Sequence, residues 1–266
     1  MTSLSDLMNL NGKRVLLTGA AGELGKTISD VLAELGASLI LVDRLEEPLN
    51  RLAENLNLRW NSSAELQVVN LEDESQRSHL IDKIIASNQG LHVLINNAAF
   101  VGSSDLTGWA VPFEEQSIQT WRRALEVNLT APFDLSKGLS KLLRESHGNI
   151  INIGSIYGEY APDWSLYEGT TMSNPAAYGA AKGGLIQLTK WLATTLAPDV
   201  RVNSISPGGI ERGQAKMFVD RYKSRTPLKR MACEDDFRGV IAFLASNMSS
   251  YVTGQNIRVD GGWGIW

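Results

Sequence analysis

The stretch Arg14-Val15-Leu16-Leu17-Thr18-Gly19-Ala20-Ala21-Gly22-Glu23-Leu24-Gly25-Lys26 decides the fold. Its first half, RVLLTG over 14–19, is a short apolar run of the kind that forms a strand buried on both faces. Its second half opens a run over 22–36 in which Leu24, Ile28, Val31, Leu32 and Leu35 recur at spacings of three and four, the period of an amphipathic helix. Between the two stand three glycines in a G-x-x-G-x-x-G pattern. Glycines at a strand-to-helix turn let backbone N–H groups approach a pyrophosphate, and the helix N-terminus adds the positive end of its dipole. The same glycines also suit a turn that only lets helix and strand pack closely, so both readings stand here.

Outward from this unit the pattern repeats. Strands are expected at 38–43, 65–70, 91–99 with its exit loop, 149–155, 200–209 and 255–259. Helices are expected at 46–56, 74–88, 118–145, 176–197 and 234–246. Alternating apolar strands and amphipathic helices imply a doubly wound α/β fold, a parallel sheet of about seven strands with helices on both faces. Nothing in 1–266 reads as a linker or repeat, so one domain is expected, with substrate loops at about 100–117, 156–177 and 210–230. In such sheets ligands lie beyond the carboxyl ends of the strands, which directs attention to residues just after each strand.

Composition narrows the function classes. The chain has 266 residues, 43% hydrophobic and 20% charged, with a formal net charge of -4. The single cysteine, Cys233, excludes an internal disulfide and a cysteine-based zinc cluster, and three histidines leave little for another metal site. No metal is therefore expected. Mild acidity argues against a general nucleic-acid or anionic-membrane surface. No apolar run approaches the roughly 20 residues of a membrane span, and the opening MTSLSDLMNLNGKR has no basic-then-apolar leader pattern. The expectation is a soluble, cytoplasmic protein with a small-molecule partner.

Several residues beyond strand ends can carry chemistry. Asp43 follows the second strand, 18 residues after Gly25. A carboxylate there accepts hydrogen bonds from both adenosine ribose hydroxyls and repels a 2′-phosphate, which favours NAD(H). Its neighbour Arg44 keeps NADP(H) possible. Asp43 could also serve as a helix N-cap. Tyr178 and Lys182 stand four apart and share a helix face. Ser155 closes the fifth expected strand, and Asn128 sits inside a helix where Asn is mildly unfavourable.

Taken in order, Thr18-Gly19 through Gly25, Asp43, Asn96-Asn97-Ala98-Ala99, Asn128, Ser155, Tyr178-x-x-x-Lys182, Pro207-Gly208-Gly209 and Val259-Asp260-Gly261-Gly262 resemble the short-chain dehydrogenase/reductase family, over nearly the whole chain. The resemblance implies an NAD(P)-dependent alcohol dehydrogenase or ketoreductase with direct hydride transfer. It implies a catalytic set of Asn128, Ser155, Tyr178 and Lys182. Tyr178 would be the acid/base, Ser155 would hold the substrate oxygen, Lys182 would bind the nicotinamide ribose, and Asn128 would place a water leading from Lys182 to solvent.

A free phenol titrates near pH 10, and working near pH 7 requires about 4 kcal/mol. A cation about 4 Å away supplies about 4 kcal/mol at an effective dielectric of about 20, so Lys182 with an oxidised nicotinamide suffices in magnitude. Cofactor contacts are expected from Gly19, Gly22, Glu23, Leu24, Gly25, Asp43, Arg44, Asn70, Leu71, Asn97, Ala98, Ala99, Tyr178, Lys182, Pro207, Gly208 and Ile210. Asn96 is expected on the adenosine side and Asn97 as a brace of the sheet. A homo-oligomer, tetramer or dimer, is expected, with Trp263 and Trp266 of the tail at a subunit contact.

The chain departs from the family pattern in three places. Glu23 stands where the glycine turn usually has its middle glycine, and its carboxylate is expected to point away from the phosphates. Asn70-Leu71 replaces the usual Asp for the adenine. Ser155 and Tyr178 are 23 positions apart, about ten more than the family's usual interval. The extra residues in 158–177 bring Trp164, Tyr167, Glu168, Thr170 and Thr171 above the site. Aromatics beside hydroxyls suit a polyhydroxylated, sugar-like substrate, and the insert resembles a subgroup linked to cell-surface sugar modification; a self-packed loop or subunit contact is the other reading. Substrate contacts are expected from Ser155, Tyr157, Tyr167 and Gly209. The basic run in 210–230 could take a sugar phosphate or be a solvated helix face. The alternatives in function are an NADPH-dependent ketoacyl-type or general carbonyl reductase and, less favoured, a non-catalytic dinucleotide sensor.

Overall fold

Seven parallel strands form one sheet in the order β3-β2-β1-β4-β5-β6-β7. The structure, a computed structural model, describes residues 1–101 and 106–266. Positions 102–105 of the expected loop 100–117 lie outside the described residues. The elements are α1 Leu4–Met8, β1 Arg14–Thr18, α2 Glu23–Glu34, β2 Ser38–Asp43, α3 Glu46–Trp60, β3 Ala64–Val68, α4 Glu74–Ala86, β4 Val93–Asn96, α5 Ile118–Leu125, α6 Ala131–Gly138, α7 Ser140–Glu145, β5 Asn149–Ile153, α8 Ala176–Leu196, β6 Arg201–Pro207, α9 Lys216–Arg225, α10 Arg238–Ala245 and β7 Asn256–Val259. The order reverses direction between β1 and β4, and a crevice opens there at the carboxyl ends.

The strands alternate their side chains between two cores. Val15 and Leu17 of β1 pack with Ile28 and Leu32 of α2 and Ile241 and Leu244 of α10. Leu16 points the other way, towards Leu80 and Ile84 of α4, Leu135 of α6 and Leu192 of α8. Burial on both faces is why β1 and β4 carry consecutive apolar residues, Val15-Leu16-Leu17 and Val93-Leu94-Ile95. Each fully buried Leu or Ile contributes about 1.5–3 kcal/mol, so this two-sided core is a rigid floor for the crevice.

The structure corrects several expected bounds. Strand ends are shorter: β3 stops at Val68, β4 at Asn96 and β5 at Ile153. α3 runs on to Trp60, whose indole N–H donates to Asp30 (2.8 Å), and ends at Asn61 in the left-handed region. The single helix expected over 118–145 is three helices. A π-helical turn, Glu126–Thr130, separates α5 from α6, and Asn128 lies within it. Such turns widen a helix by one residue and redirect the side chains they carry. Pro132 stands at the second position of α6, directly after that turn. The basic run contains a helix of its own, α9.

Candidate active site

The crevice begins at the glycine turn. Gly19 takes φ +63°, and a Cβ there would lie 2.6 Å from the Ala98 backbone, so the β1 exit and the β4 exit touch at backbone distance. Asn97 locks that contact. Its Nδ2 donates to the carbonyls of Thr18 (3.0 Å) and Gly19 (2.9 Å), while the backbone N–H groups of Asn97 and Ala98 both donate to Thr18 Oγ1.

Helix α2 starts at Gly22 with no side-chain cap. α4, by contrast, is capped by Asp73 from Ser75 and Gln76, and α5 by Ser117. The first amides of α2 thus open into the crevice without a cap. This is the cradle an anionic pyrophosphate fits.

The crevice is a groove of about 690 Å³, and all seventeen expected cofactor positions line it: Gly19, Gly22, Glu23, Leu24, Gly25, Asp43, Arg44, Asn70, Leu71, Asn97, Ala98, Ala99, Tyr178, Lys182, Pro207, Gly208 and Ile210. Its length from Asp43 to Pro207, its glycine cradle and its carboxylate suit a nicotinamide dinucleotide. Asp43 is not the N-cap of α3; that place is Leu45, without a side-chain cap. Its Oδ2 accepts from Ala21 N–H (3.0 Å) and its Oδ1 from Leu45 N–H (3.2 Å), which ties the β2 exit to the glycine turn.

Glu23 points to the surface, where its carboxylate accepts from Lys26 at 2.6 Å with 60% of the side chain exposed. Replacing Glu23 by Gly should therefore change dinucleotide affinity by less than about threefold, measured by tryptophan fluorescence titration. A tightening of tenfold or more would mean that the carboxylate faces the phosphates.

At the other end, Lys182 of α8 is 2% exposed, and its ammonium donates to the Ile153 carbonyl at 2.7 Å. Burial pushes its pKa down to about 8. Tyr178 lies one turn earlier, its ring centroid 5.9 Å from Lys182 Nζ. Burial raises the Tyr178 phenol; the Ser155 hydroxyl acts against that rise, the Tyr167 phenol adds to it and Arg212 opposes it. The depression expected from Lys182 is thus absent from the chain itself, because loss of hydration outweighs the stabilising contacts. Ser155 is 6% exposed at the end of the β5 exit, where its Oγ also accepts from Tyr157 N–H (3.1 Å).

Asn128 is wholly buried, and its amide is committed to one residue. Oδ1 accepts from Phe100 N–H (2.7 Å) and Nδ2 donates to Phe100 O (3.1 Å). Its side chain thereby clamps the β4 exit, which lines the groove. Asn96, expected on the adenosine side, is 3% exposed and donates to Asn152 inside the sheet (2.8 Å), so the member of the pair that lines the groove is Asn97. Asn70 Oδ1 accepts from Glu72 N–H (3.1 Å), closing its own turn at the groove edge.

Beside this groove a second cavity of about 710 Å³ opens between 110–116 and the insert, with Tyr157 and Gly179 in its wall. The insert largely packs on itself and its neighbours. Tyr157, Tyr160 and Tyr167 join Phe218 and Tyr222 of α9 and the tail residue Trp263, which is 1% exposed. Trp263 therefore belongs to this chain's own core, whereas Trp266 is exposed. Tyr157 and Tyr167 share a hydrogen bond between hydroxyls (2.7 Å). Gly209, expected at the substrate, is turned against α9 instead: its N–H donates to Tyr222 Oη at 2.6 Å, and it borders a separate 130 Å³ cleft.

The basic run is not a free phosphate receptor. Arg212 pairs with Glu234, Lys216 with Asp220, Lys223 with Glu211, Arg225 with Asp163 and Arg230 with Asp236. Arg221 and Lys229 donate to backbone carbonyls.

Sequence reasoning missed Arg123 and Glu72, which form a two-pronged ion pair in the groove wall (2.6 and 3.1 Å). Glu72 follows a strand and so carried a positional signal; Arg123, mid-helix, carried none. Among the described residues no group of acidic, His or Cys side chains could hold a metal ion, and no helix is long and apolar enough to cross a membrane.

Comparisons with known proteins agree with this geometry. Residues 19–264 match a family model described as enoyl-(acyl carrier protein) reductase. The post-translational flagellin modification protein A of Campylobacter coli is 30% identical over 96% of this chain and 100% of its own. A short-chain dehydrogenase structure from Leptospira borgpetersenii with bound NAD+ is 31% identical, with TM-score 0.84 over 99% of this chain and 96% of that one. A gluconate 5-dehydrogenase structure from Burkholderia cenocepacia in complex with NADP and tartrate is 29% identical, with TM-score 0.85 over 99% and 100%. The chain belongs to the short-chain dehydrogenase/reductase family, whose members are NAD(P)-dependent oxidoreductases.

Proposed function

We propose that this protein interconverts a secondary alcohol and its ketone on a ring-shaped, polyhydroxylated, sugar-like small molecule, with preference for NAD(H). The observation that carries this is Tyr178 and Lys182 in the wall of the dinucleotide-sized groove, with the Ser155 hydroxyl beside the Tyr178 phenol and the next residue, Gly179, in the wall of the second cavity.

The α2 amides and the glycine turn hold the pyrophosphate, and Asp43 holds the adenosine ribose. Asn70, Leu71, Asn97, Ala98 and Ala99 line the adenosine side, and Pro207, Gly208 and Ile210 the nicotinamide end. When bound, the dinucleotide supplies or accepts the hydride exchanged with the substrate carbon. Tyr178 Oη gives a proton to the ketone oxygen in reduction and takes it from the alcohol in oxidation. Its raised pKa keeps the phenol protonated at neutral pH, the form that reduction needs. Ser155 donates a hydrogen bond to the same oxygen and stabilises its developing charge. Lys182, titrating at about 8, is protonated at pH 7 and holds positive charge beside the phenol. Asn128 is a positioning residue, acting through Phe100.

A second reading, an NADPH-dependent reductase of carbonyls carried as acyl groups, is favoured by Arg44 at the same end of the groove as Asp43 and by the description of the matching family model. We further read the protein as cytoplasmic, and as homo-oligomeric since Ile118, Phe133 and Trp191 expose apolar surface on α5, α6 and α8.

Titration with NADH and NADPH, followed by energy transfer from the tryptophans, tests the assignment. NADH should bind at least about tenfold tighter. Equal or tighter NADPH binding would give the site to Arg44, and binding of neither would sink the enzyme reading.

A further inference from the structure

The second cavity differs from the dinucleotide groove in one respect that bears on the substrate. Among the described residues its lining contains no Asp, Glu, Lys, Arg or His. One wall is apolar and aromatic, with Pro112, Phe113, Tyr160, Pro162, Trp164 and Met172. The polar edge is uncharged, formed by Thr170, Thr171, Ser173, Asn174 and Tyr157.

Within that edge Asn174 is the buried member. It is 6% exposed, and its Nδ2 has no acceptor at hydrogen-bonding geometry. The Asn174 amide acts on the phenols of Tyr157 and Tyr167 without a well-formed hydrogen bond to either, so an acceptor oxygen in the cavity would compete with those hydroxyls for its N–H. The neighbouring phenols of Tyr157 and Tyr167 already share one hydrogen bond. Burial raises both, and the Asn174 amide acts against the rise in each, so both stay neutral at physiological pH. The cations that could have served a charged ligand are spent elsewhere: Arg225 pairs with Asp163 and lies over the Trp263 ring (4.4 Å to its centroid), and Arg221 donates to the backbone of Glu168.

We propose that this cavity selects an uncharged ring-bearing alcohol or ketone, and that Asn174 Nδ2 is the specificity residue that holds a second acceptor oxygen of that substrate. A carboxylate or phosphate entering it would lose hydration and meet no counter-charge. The apolar wall takes one face of the ring, and the Asn174 edge takes its oxygen. The inference rests on the oxidoreductase reading for which atom reacts, but the charge preference belongs to the cavity and is measurable without turnover.

The probes are methyl 4-oxocyclohexanecarboxylate and its free acid, 4-oxocyclohexanecarboxylate, which differ in charge but little in shape. Calorimetric binding of each to the full chain in the presence of NAD+, and NADH-dependent reduction of each, are measured separately. The ester should bind at least about tenfold tighter than the acid at pH 7. Asn174→Leu and the isosteric Asn174→Asp should each raise KM for the ester by about tenfold with a smaller change in kcat, and retained NAD+ binding shows that the variants are folded. Acid binding as tight as ester binding, or no ester binding in a protein that binds NAD+, overturns the inference. An ester KM unmoved in both variants removes Asn174 from it. Selective ester binding without reduction supports the inference while sinking the oxidoreductase reading.

Discussion

Replacing Tyr178 by Phe should lower kcat by about 10³-fold, within the range usual for a lost general acid/base, while dinucleotide affinity stays within about threefold. The substitution removes one oxygen and keeps the ring, which packs with Trp109, Ala124 and Ala177, so the fold has no reason to yield. The hydroxyl lost is the group that the Ser155 hydroxyl acts upon and that faces Lys182 from the next turn of α8. Steady-state reduction of a ketone and a fluorescence titration with NADH on the same preparation check both halves. Turnover within tenfold of the parent would remove Tyr178 from the chemistry. Loss of dinucleotide affinity with turnover would instead show that the ring's position, not its proton, had been disturbed.

Gly25→Ala should abolish measurable dinucleotide binding, a loss of at least about 10²-fold. It should also destabilise the protein by about 1–3 kcal/mol, the usual cost of forcing an extra methyl into a filled space. An added Cβ would sit 2.1 Å from the Gly19 carbonyl oxygen and 2.7 Å from that of Ala20. Both are backbone atoms and cannot rotate away, so the start of α2 must move off β1, and its uncapped amides move with it. Gly22→Ala is the contrast. Its φ is -69°, and the new methyl would lie 3.4 Å from the nearest atom, so it should melt within a few degrees of the parent. Differential scanning calorimetry with and without NADH separates the two effects. A Gly25→Ala protein that binds NADH normally would mean that close helix–strand approach is not what shapes the cradle.

Both expectations start from residues that local pattern singled out. The strand-then-glycine-then-helix unit at 14–26 carries its meaning within one stretch of chain. Asp43, Ser155 and Pro207 each follow a strand end, and strand ends in a parallel sheet gather at one edge whatever fills the rest. The π-turn at Asn128 was invisible for the opposite reason. Asn128 there bonds to Phe100, 28 residues away, and an Asn in a helical stretch looks the same whether it is solvated or clamped. Asn96 turns into the sheet while Asn97 braces the glycine turn, because adjacent residues at a strand end face opposite ways, and which of them meets the turn depends on the β1–β4 register.

The sequence by itself determined a parallel doubly wound sheet, a glycine turn between the first strand and helix, an acid at the end of the second strand and a Tyr–Lys pair one helical turn apart. These follow from period, spacing and chain order, which are local. Only the tertiary structure decided what the insert does. It packs the insert against α9 and Trp263, pairs Arg225 with Asp163, and leaves an uncharged cavity with Asn174 in its wall. The basic run at 210–230 likewise reads as positive only until folding brings Glu211, Glu234, Asp163 and Asp236 to it. Charge is a property of composition, but the field at a site depends on which partners the fold places within a few ångströms, and those partners come from far along the chain.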